Sequence, residues 1–242
     1  METQTPTPVS QSKSEWTPTS ADREFFERRM LAIPQRFRAF RLKTLKPNEQ
    51  VVRLSVERQQ QVLNTLRQIF SENPNANVAL FGPAGTGKST LMAMLYTEAA
   101  KRQTWLCSMR RKNIAVNVPE QTLLWLDMGQ WSEEMVAYNF GNAKFPPTIP
   151  GTYGCVKATP EFIRAKPPFV QPALFLDEFD KVRSNEPTMA VTNALVRAAY
   201  DKSARICLTT NLTPEEFTAR FSEHIDRRVM DDGNVVKVNL FK

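Results

Sequence analysis

The sequence predicts an α/β fold in which five short apolar strands alternate with helices. Two observations carry this prediction. The first is a strand, a glycine-rich turn and a helix in direct succession over residues 77–102. The second is a later apolar run, 173–176, that ends in two carboxylates. Strands that alternate with helical segments are typical of a mainly parallel sheet covered by helices.

The glycine-rich turn fits the phosphate-binding pattern of glycine, any four residues, glycine, lysine and serine. Glycines let successive backbone N–H groups point at phosphate oxygens in front of a helix N-terminus. Lys88 supplies a charge for the β- and γ-phosphates, and Ser89 can place its hydroxyl on Mg²⁺. Three of the eight glycines of the chain lie between Gly82 and Gly87, which disfavours a chance match. The predicted nucleotide-binding residues are Gly82, Pro83, Ala84, Gly85, Thr86, Gly87, Lys88, Ser89 and Thr90.

Two later strands end in polar side chains suited to the same site. Asp177 and Glu178 follow the apolar run 173–176. Asp177 can hold the Mg²⁺ shell through water, and Glu178 can act as the general base for the attacking water. We expect the next residues, up to Asp180, to lead away from the site. A strand over 205–210 ends at Asn211, which can reach the γ-phosphate if that strand lies between the other two.

The rest of the chain suggests three regions. Residues 1–20 are rich in Thr, Ser, Pro and Gln, which predicts a disordered tail. Residues 21–47 predict a short helix and a linker, and the helix could dock on the main domain or serve as a handle for a partner protein. Residues 48–242 form the predicted ATPase domain, with a proline-rich insertion near 144–172.

Charge and composition bear on the partners, the metal content and the location of the chain. The formal net charge of +7 favours polyanionic partners such as nucleic acid. Residues 104–118 predict two strands joined at a basic tip formed by Arg110, Arg111 and Lys112, which is either a solvated turn or a contact with a DNA backbone. Three separated cysteines and a single histidine disfavour a zinc site. With neither a secretory signal nor an apolar run of about 20 residues, a cytoplasmic location is expected.

Taken together, these motifs resemble those of AAA+ ATPases. Within that group, the chain is similar to DnaC-type helicase loaders and IstB-type transposition ATPases over about 35–241. The resemblance is carried by 82–89, 174–178, 209–212 and 227–229. It implies a P-loop NTPase (AAA+ type) three-layer sandwich with a five-stranded parallel sheet and a lid domain that is reduced or absent.

The resemblance also implies roles for individual residues. ATP and Mg²⁺ are expected at Lys88, Ser89 and Asp177. Catalysis is assigned to Glu178, and sensing of the nucleotide to Asn211. An arginine finger that acts on the nucleotide of a neighbouring subunit is expected at Arg228, with Arg227 as the close alternative.

The function implied is that of a DNA-binding oligomer, a ring or spiral, that loads a replicative helicase on DNA. Two alternatives stay open on the sequence alone. One is an IstB-like transposition ATPase that selects target DNA and activates a transposase. The other is a nucleotide-gated scaffold with little turnover.

Overall fold

A computed structural model of the protein describes residues 17–40, 54–73, 76–113, 123–149, 156–157, 160–164, 172–221, 223–230 and 235–241. The helices are α1 (Ser20–Met30), α2 (Val56–Glu72), α3 (Lys88–Asn113), α4 (Met128–Asn139), α5 (Pro160–Arg164), α6 (Glu186–Asp201), α7 (Pro214–Arg220) and α8 (Glu223–Met230). The strands are β1 (Asn77–Phe81), β2 (Leu123–Asp127), β3 (Thr148–Ile149), β4 (Val156–Lys157), β5 (Ala173–Asp177), β6 (Arg205–Thr210) and β7 (Val235–Asn239). Short 3-10 turns occur at Gln35–Phe37 and Phe179–Lys181.

Five strands form one parallel sheet in the order β2-β5-β6-β1-β7. The three inner strands, β1, β5 and β6, are buried along their whole length. Such continuous apolar runs are typical of parallel strands covered on both faces. Because all five strands point the same way, their carboxyl ends meet at one edge, and β6 lies between β1 and β5 as the sequence analysis required.

Helices cover both faces of the sheet and complete the expected three-layer sandwich. On one face α3 packs its Tyr96 ring at 4.9 Å from Phe175 of β5. On the other face Phe217 of α7 packs at 6.1 Å from Phe81 of β1. Since side chains alternate along each strand, neighbouring residues enter opposite cores.

The helix α1 docks on α3. Thr19 caps its N-terminus in a capping box with Asp22, and Asp22 also accepts a hydrogen bond from Ser108 Oγ at 3.1 Å. Tyr96 Oη donates to the carbonyl of Arg29 at 3.1 Å, and Met30 is buried in the core on that face. Of the two alternatives for this helix, the structure therefore shows docking on the main domain.

The segment after α1 also packs inward. The Phe37 ring lies 6.4 Å from Trp125 of β2. Arg38 donates from Nε to the carbonyl of Ile33 at 2.8 Å and from Nη2 to the carbonyl of Leu31 at 3.1 Å. The interleaved aromatic and cationic residues here pack against the core and the end of the preceding helix.

The prediction of two strands over 104–118 is wrong for 104–113, which continue α3; residues 114–118 lie outside the described residues. The 26-residue helix contains no glycine or proline to end it earlier. Ala100, Thr104 and Ser108, spaced four residues apart, are buried on one face, and Thr104 Oγ1 bonds back to the carbonyl of Ala100 at 2.8 Å. Helical packing has overridden the strand propensity of Thr and Trp.

Two further segments differ from what the sequence predicts. The sequence over 215–225 predicts a single helix, but the structure has two helices, α7 and α8, because Phe221 adopts an extended backbone and buries its ring 4.6 Å from Phe217. The prolines of the insertion near 144–172 predict an irregular segment, but its described parts contain regular elements. It holds the antiparallel pair β3 and β4, and the helix α5, whose Ile163 is buried in the core.

No helix of the described ranges is both long and apolar enough to cross a bilayer.

Candidate nucleotide-binding site

The phosphate loop, residues 82–89, links the end of β1 to the first turn of α3. Gly85 and Gly87 have φ values of 85° and 84°, a region that other residues seldom adopt. At Gly82 the constraint is space, since an added Cβ would lie 2.6 Å from Leu240 Cβ. The glycines are therefore required by backbone shape at two positions and by close packing at a third.

The Lys88 ammonium is held at the base of this loop. Nζ donates to the carbonyls of Gly82 at 2.6 Å and Pro83 at 2.9 Å, and to Asn211 Oδ1 at 2.9 Å. Burial lowers the pKa of Lys88, and the nearby carboxylates of Asp180, Asp177 and Glu178 oppose that shift. Because its three hydrogen-bond acceptors are neutral oxygens, the ammonium can turn to phosphate oxygens without leaving the loop.

Ser89 and Asp177, the two residues predicted to hold a metal ion, are hydrogen-bonded to each other. Ser89 Oγ lies 2.9 Å from Asp177 Oδ1, and Thr209 Oγ1 lies 2.6 Å from the same oxygen. Burial raises the pKa of Asp177, while the hydrogen bonds from Thr209 and Ser89 lower it. The sequence predicts no role for Thr209, although it lies in the motif 209–212, because the strand register that brings it beside Asp177 leaves no pattern in one sequence.

These two residues fit a magnesium ion. Mg²⁺ is usually held by one or two carboxylate or hydroxyl oxygens together with the phosphates of a substrate. Ser89 and Asp177 supply such oxygens beside the loop. Among the described residues no group of three His, Cys, Asp or Glu side chains forms a ready metal site. Mg²⁺ would enter here with the nucleotide, and Ser89 and Asp177 are the residues that would hold it.

Glu178, the predicted general base, follows directly in an unusual backbone conformation. Its φ of 52° and ψ of 49° lie in the left-handed region, which costs a residue with a Cβ about 1 kcal/mol or more. Its backbone N–H donates to Thr209 Oγ1 at 2.9 Å. Burial raises the pKa of the Glu178 carboxyl, and the charges of Asp177 and Asp127 add to that shift. A raised pKa suits a group that must take a proton from water.

Asp180 belongs to the site, contrary to the expectation that 179–180 would lead away. Its Oδ1 accepts the backbone N–H of Asn211 and its Oδ2 accepts the Asn211 side-chain amide, both at 2.9 Å. The tight 3-10 turn at Phe179–Lys181 keeps the chain beside the end of β6, so Asp180 reaches Asn211 there. The spacing of Asp177 and Asp180 was the available signal.

The two candidate arginine-finger residues lie on α8. Arg227 is exposed. Arg228 is half-buried, donates from Nη1 to the carbonyl of His224 at 3.0 Å, and has its guanidinium 5.7 Å from the centre of the Tyr200 ring. Within the described chain, no hydrogen bond or ion pair joins either arginine to the phosphate loop of the same molecule. The cysteine Cys207 is buried in β6, as expected for a small apolar residue.

The predicted DNA-contacting residues, Arg110, Arg111 and Lys112, lie near the C-terminal end of α3 and not at a hairpin tip. At 1.5 Å per residue they lie about 33 Å along the helix from Lys88. Cations near a helix C-terminus also interact favourably with the helix dipole. The structure therefore separates these cations from the nucleotide site.

Comparisons with known proteins bear on the fold. Residues 35–122, less than half of the chain, match the family DUF815, which is described as a protein of unknown function. A search of curated proteins finds no match. The crystal structure of the DnaC helicase loader is 15% identical with a TM-score of 0.55, and the alignment covers 85% of this chain and 99% of that chain.

Two structures of the replication initiator DnaA are also similar. AMPPCP-bound DnaA from Aquifex aeolicus is 14% identical with a TM-score of 0.52, over 86% of this chain and 51% of that chain. DnaA bound to AMPPCP and single-stranded DNA is 14% identical with a TM-score of 0.53, over the same shares. The chain thus spans about half the length of these DnaA chains. The likeness confirms the expected AAA+-type P-loop fold and the structural resemblance to DnaC-type loaders.

Proposed function

We propose that this chain is an oligomeric, DNA-binding AAA+ ATPase that uses ATP binding and hydrolysis to load a replicative helicase on DNA. The observation that carries the proposal is the meeting of five side chains at one edge of the sheet. They come from the carboxyl ends of the neighbouring strands β5 and β6 and from the helix after the phosphate loop: Lys88, Ser89, Asp177, Glu178 and Asn211.

The geometry assigns a task to each of these residues. The loop N–H groups and the α3 N-terminus bind phosphate oxygens, and Lys88 turns from the loop carbonyls to the β- and γ-phosphates. When bound between Ser89 and Asp177, Mg²⁺ supplies charge for the phosphate oxygens. Glu178 accepts a proton from the water that attacks the γ-phosphate, and Asn211 orients that water and the phosphate.

The proposal of an oligomer rests on the arginines. An arginine adds greatly to phosphoryl transfer when it approaches the γ-phosphate. Since Arg227 and Arg228 do not contact their own phosphate loop, we propose that Arg228, or Arg227 in its place, acts on the nucleotide of the next subunit. The site is then complete only between two copies of the chain.

Helicase loading and DNA binding are proposed from the charge of the chain and from its structural likeness to other proteins. The net charge of +7 favours DNA. The structural likeness to the DnaC helicase loader, over 99% of the chain in that crystal structure, favours a replicative helicase as the partner. ATP as the nucleotide is supported by the similar DnaA structures, which hold AMPPCP.

The test is a loading reaction with purified replicative helicase, single-stranded DNA and ATP. We expect the chain to increase the amount of helicase recovered on DNA, and the Glu178→Gln variant, which should bind ATP without turnover, to change that amount. If the chain instead recruits a transposase to DNA and has no effect on the helicase, the transposition alternative replaces this proposal. If ATP holds an oligomer together but is hydrolysed at a negligible rate, the scaffold alternative replaces this proposal.

A further inference from the structure

Thr209 joins the two carboxylate-bearing residues of the site through one hydroxyl. Its Oγ1 donates to Asp177 Oδ1 at 2.6 Å and accepts the backbone N–H of Glu178 at 2.9 Å. The side chain is almost fully buried, with 1% of its surface exposed. A hydroxyl has one hydrogen to donate and two lone pairs to accept, so this arrangement uses both capacities at adjacent residues of one loop.

The sheet register explains why Thr209 reaches both groups. Leu208 of β6 pairs with Leu176 of β5, so Thr209 follows at the level where β5 ends in Asp177. Cys207 and Phe175 both belong to the core on the α3 face. Because side chains alternate along a strand, Thr209 and Asp177 point to that same face, where Ser89 lies in the first turn of α3.

We infer that Thr209 is a positioning residue for ATP hydrolysis: its hydroxyl fixes the metal-binding oxygen of Asp177 and holds Glu178 in its left-handed backbone conformation. This inference rests on the proposed function. The left-handed conformation is unfavourable for glutamate and persists only where surrounding groups enforce it. The hydrogen bond from Thr209 gives that backbone a fixed partner immediately before the carboxylate that takes the proton.

A buried threonine could also serve stability alone, and Thr210 provides the matched control. It is the next residue, of the same type and equally buried, with 0% exposed. Its Oγ1 accepts the backbone N–H of Leu212 at 3.2 Å and belongs to the opposite face. Thr210→Val therefore removes a buried hydroxyl of the same kind without touching Asp177 or Glu178.

The experiment compares wild type, Thr209→Val, Thr209→Ser and Thr210→Val in the full chain. A fluorescent ATP analogue is titrated with Mg²⁺ and with EDTA, and ATP turnover is measured as a function of Mg²⁺ concentration. Loss of a hydrogen bond to a charged group predicts a fall in kcat of about 10- to 100-fold for Thr209→Val. We also expect Thr209→Val to lose the gain in analogue affinity that Mg²⁺ gives, while all four proteins bind the analogue alike in EDTA.

Thr209→Ser should keep a turnover close to wild type, because it keeps the hydroxyl, and Thr210→Val should behave as wild type. The inference is overturned if Thr209→Val and Thr210→Val have the same turnover and the same Mg²⁺ dependence. It is also overturned if Thr209→Ser is as impaired as Thr209→Val, or if Thr209→Val fails to fold while Thr210→Val folds. A wild-type chain that binds no ATP analogue would overturn the proposed function itself.

Discussion

The carboxylate of Asp180 accepts two hydrogen bonds from Asn211, one from its backbone N–H and one from its side-chain amide, each 2.9 Å long. The amide oxygen of Asn211 is thereby left facing the Lys88 ammonium, which lies 2.9 Å away. Asp180 thus fixes the orientation of the residue that we propose senses the nucleotide.

We predict that Asp180→Ala lowers ATP turnover by about tenfold or more, because a hydrogen bond to a charged group contributes roughly 1.5–3 kcal/mol. The Asn211 amide would lose its fixed orientation. Steady-state turnover over a range of ATP concentrations measures the effect. Asp201, an exposed aspartate at the end of α6, offers the control substitution Asp201→Ala. Equal turnover in the two variants would show that Asp180 has no part in the reaction.

The arginine finger is testable by mixing variants. We predict that Arg228→Ala and Lys88→Ala each abolish turnover alone, and that a mixture of the two recovers part of it. In a mixed oligomer some sites combine an intact phosphate loop with an intact arginine of the neighbour. Arg227→Ala should lose less ATP turnover than Arg228→Ala, because Arg228 is pre-oriented by its hydrogen bond to the His224 carbonyl and by the Tyr200 ring. A mixture as inactive as its components would exclude a shared site.

For DNA, we predict that Arg110→Ala combined with Arg111→Ala weakens binding about equally across sequences and makes the salt dependence less steep. Phosphate contacts carry no base information, so all sequences should be affected alike. Fluorescence anisotropy at several salt concentrations measures both effects. Since these residues lie far along α3 from Lys88, ATP affinity without DNA should be unchanged. DNA affinity equal to wild type would remove the end of α3 from the DNA-binding surface.

The first glycine of the phosphate loop packs too closely on the chain end to accept a methyl group. Gly82→Ala would place its Cβ 2.6 Å from Leu240 Cβ and 3.3 Å from the Leu240 carbonyl carbon. The Leu240 backbone is itself tied to Phe81 by a 2.7 Å hydrogen bond, so it has little freedom to move. We predict a loss of about 1–3 kcal/mol in the free energy of unfolding.

Weaker ATP binding should accompany that loss, because the loop must shift to relieve the contact. Thermal unfolding with and without ATP measures both. Gly141→Ala is the control, since its Cβ would meet nothing within 4 Å, although its φ of 73° adds strain. An ATP affinity for Gly82→Ala equal to that of Gly141→Ala would contradict this account of the loop.

The parts of the site that the sequence predicts are those encoded by short motifs. A glycine pattern before a helix and carboxylates after an apolar strand have few alternative structures, so Lys88, Ser89, Asp177 and Glu178 meet as expected. Thr209 lies in the motif 209–212 and Asp180 lies three residues after Asp177, but the sequence predicts neither of their roles, because these depend on the strand register and on a 3-10 turn.

The ends of helices are harder to predict, because they depend on tertiary contacts. The end of α3 contains Thr104 and Trp105, which favour strands in isolation, and only burial of its i, i+4 face shows why the helix continues. The break between α7 and α8 falls at Phe221 and not at a glycine or proline. It follows from the packing of the Phe221 ring against Phe179. Tertiary contacts decide both cases.

The central claim is that the site at the carboxyl edge of the sheet hydrolyses ATP with Glu178 as the general base. The most direct test is to measure both ATP turnover and ATP affinity of the Glu178→Gln variant. Because the amide cannot accept the proton of the attacking water, we predict that turnover falls by about 10²- to 10⁴-fold. ATP affinity should match that of wild type, since Lys88, Ser89 and Asp177 are unchanged. A Glu178→Gln variant that hydrolyses ATP as fast as wild type would contradict the account.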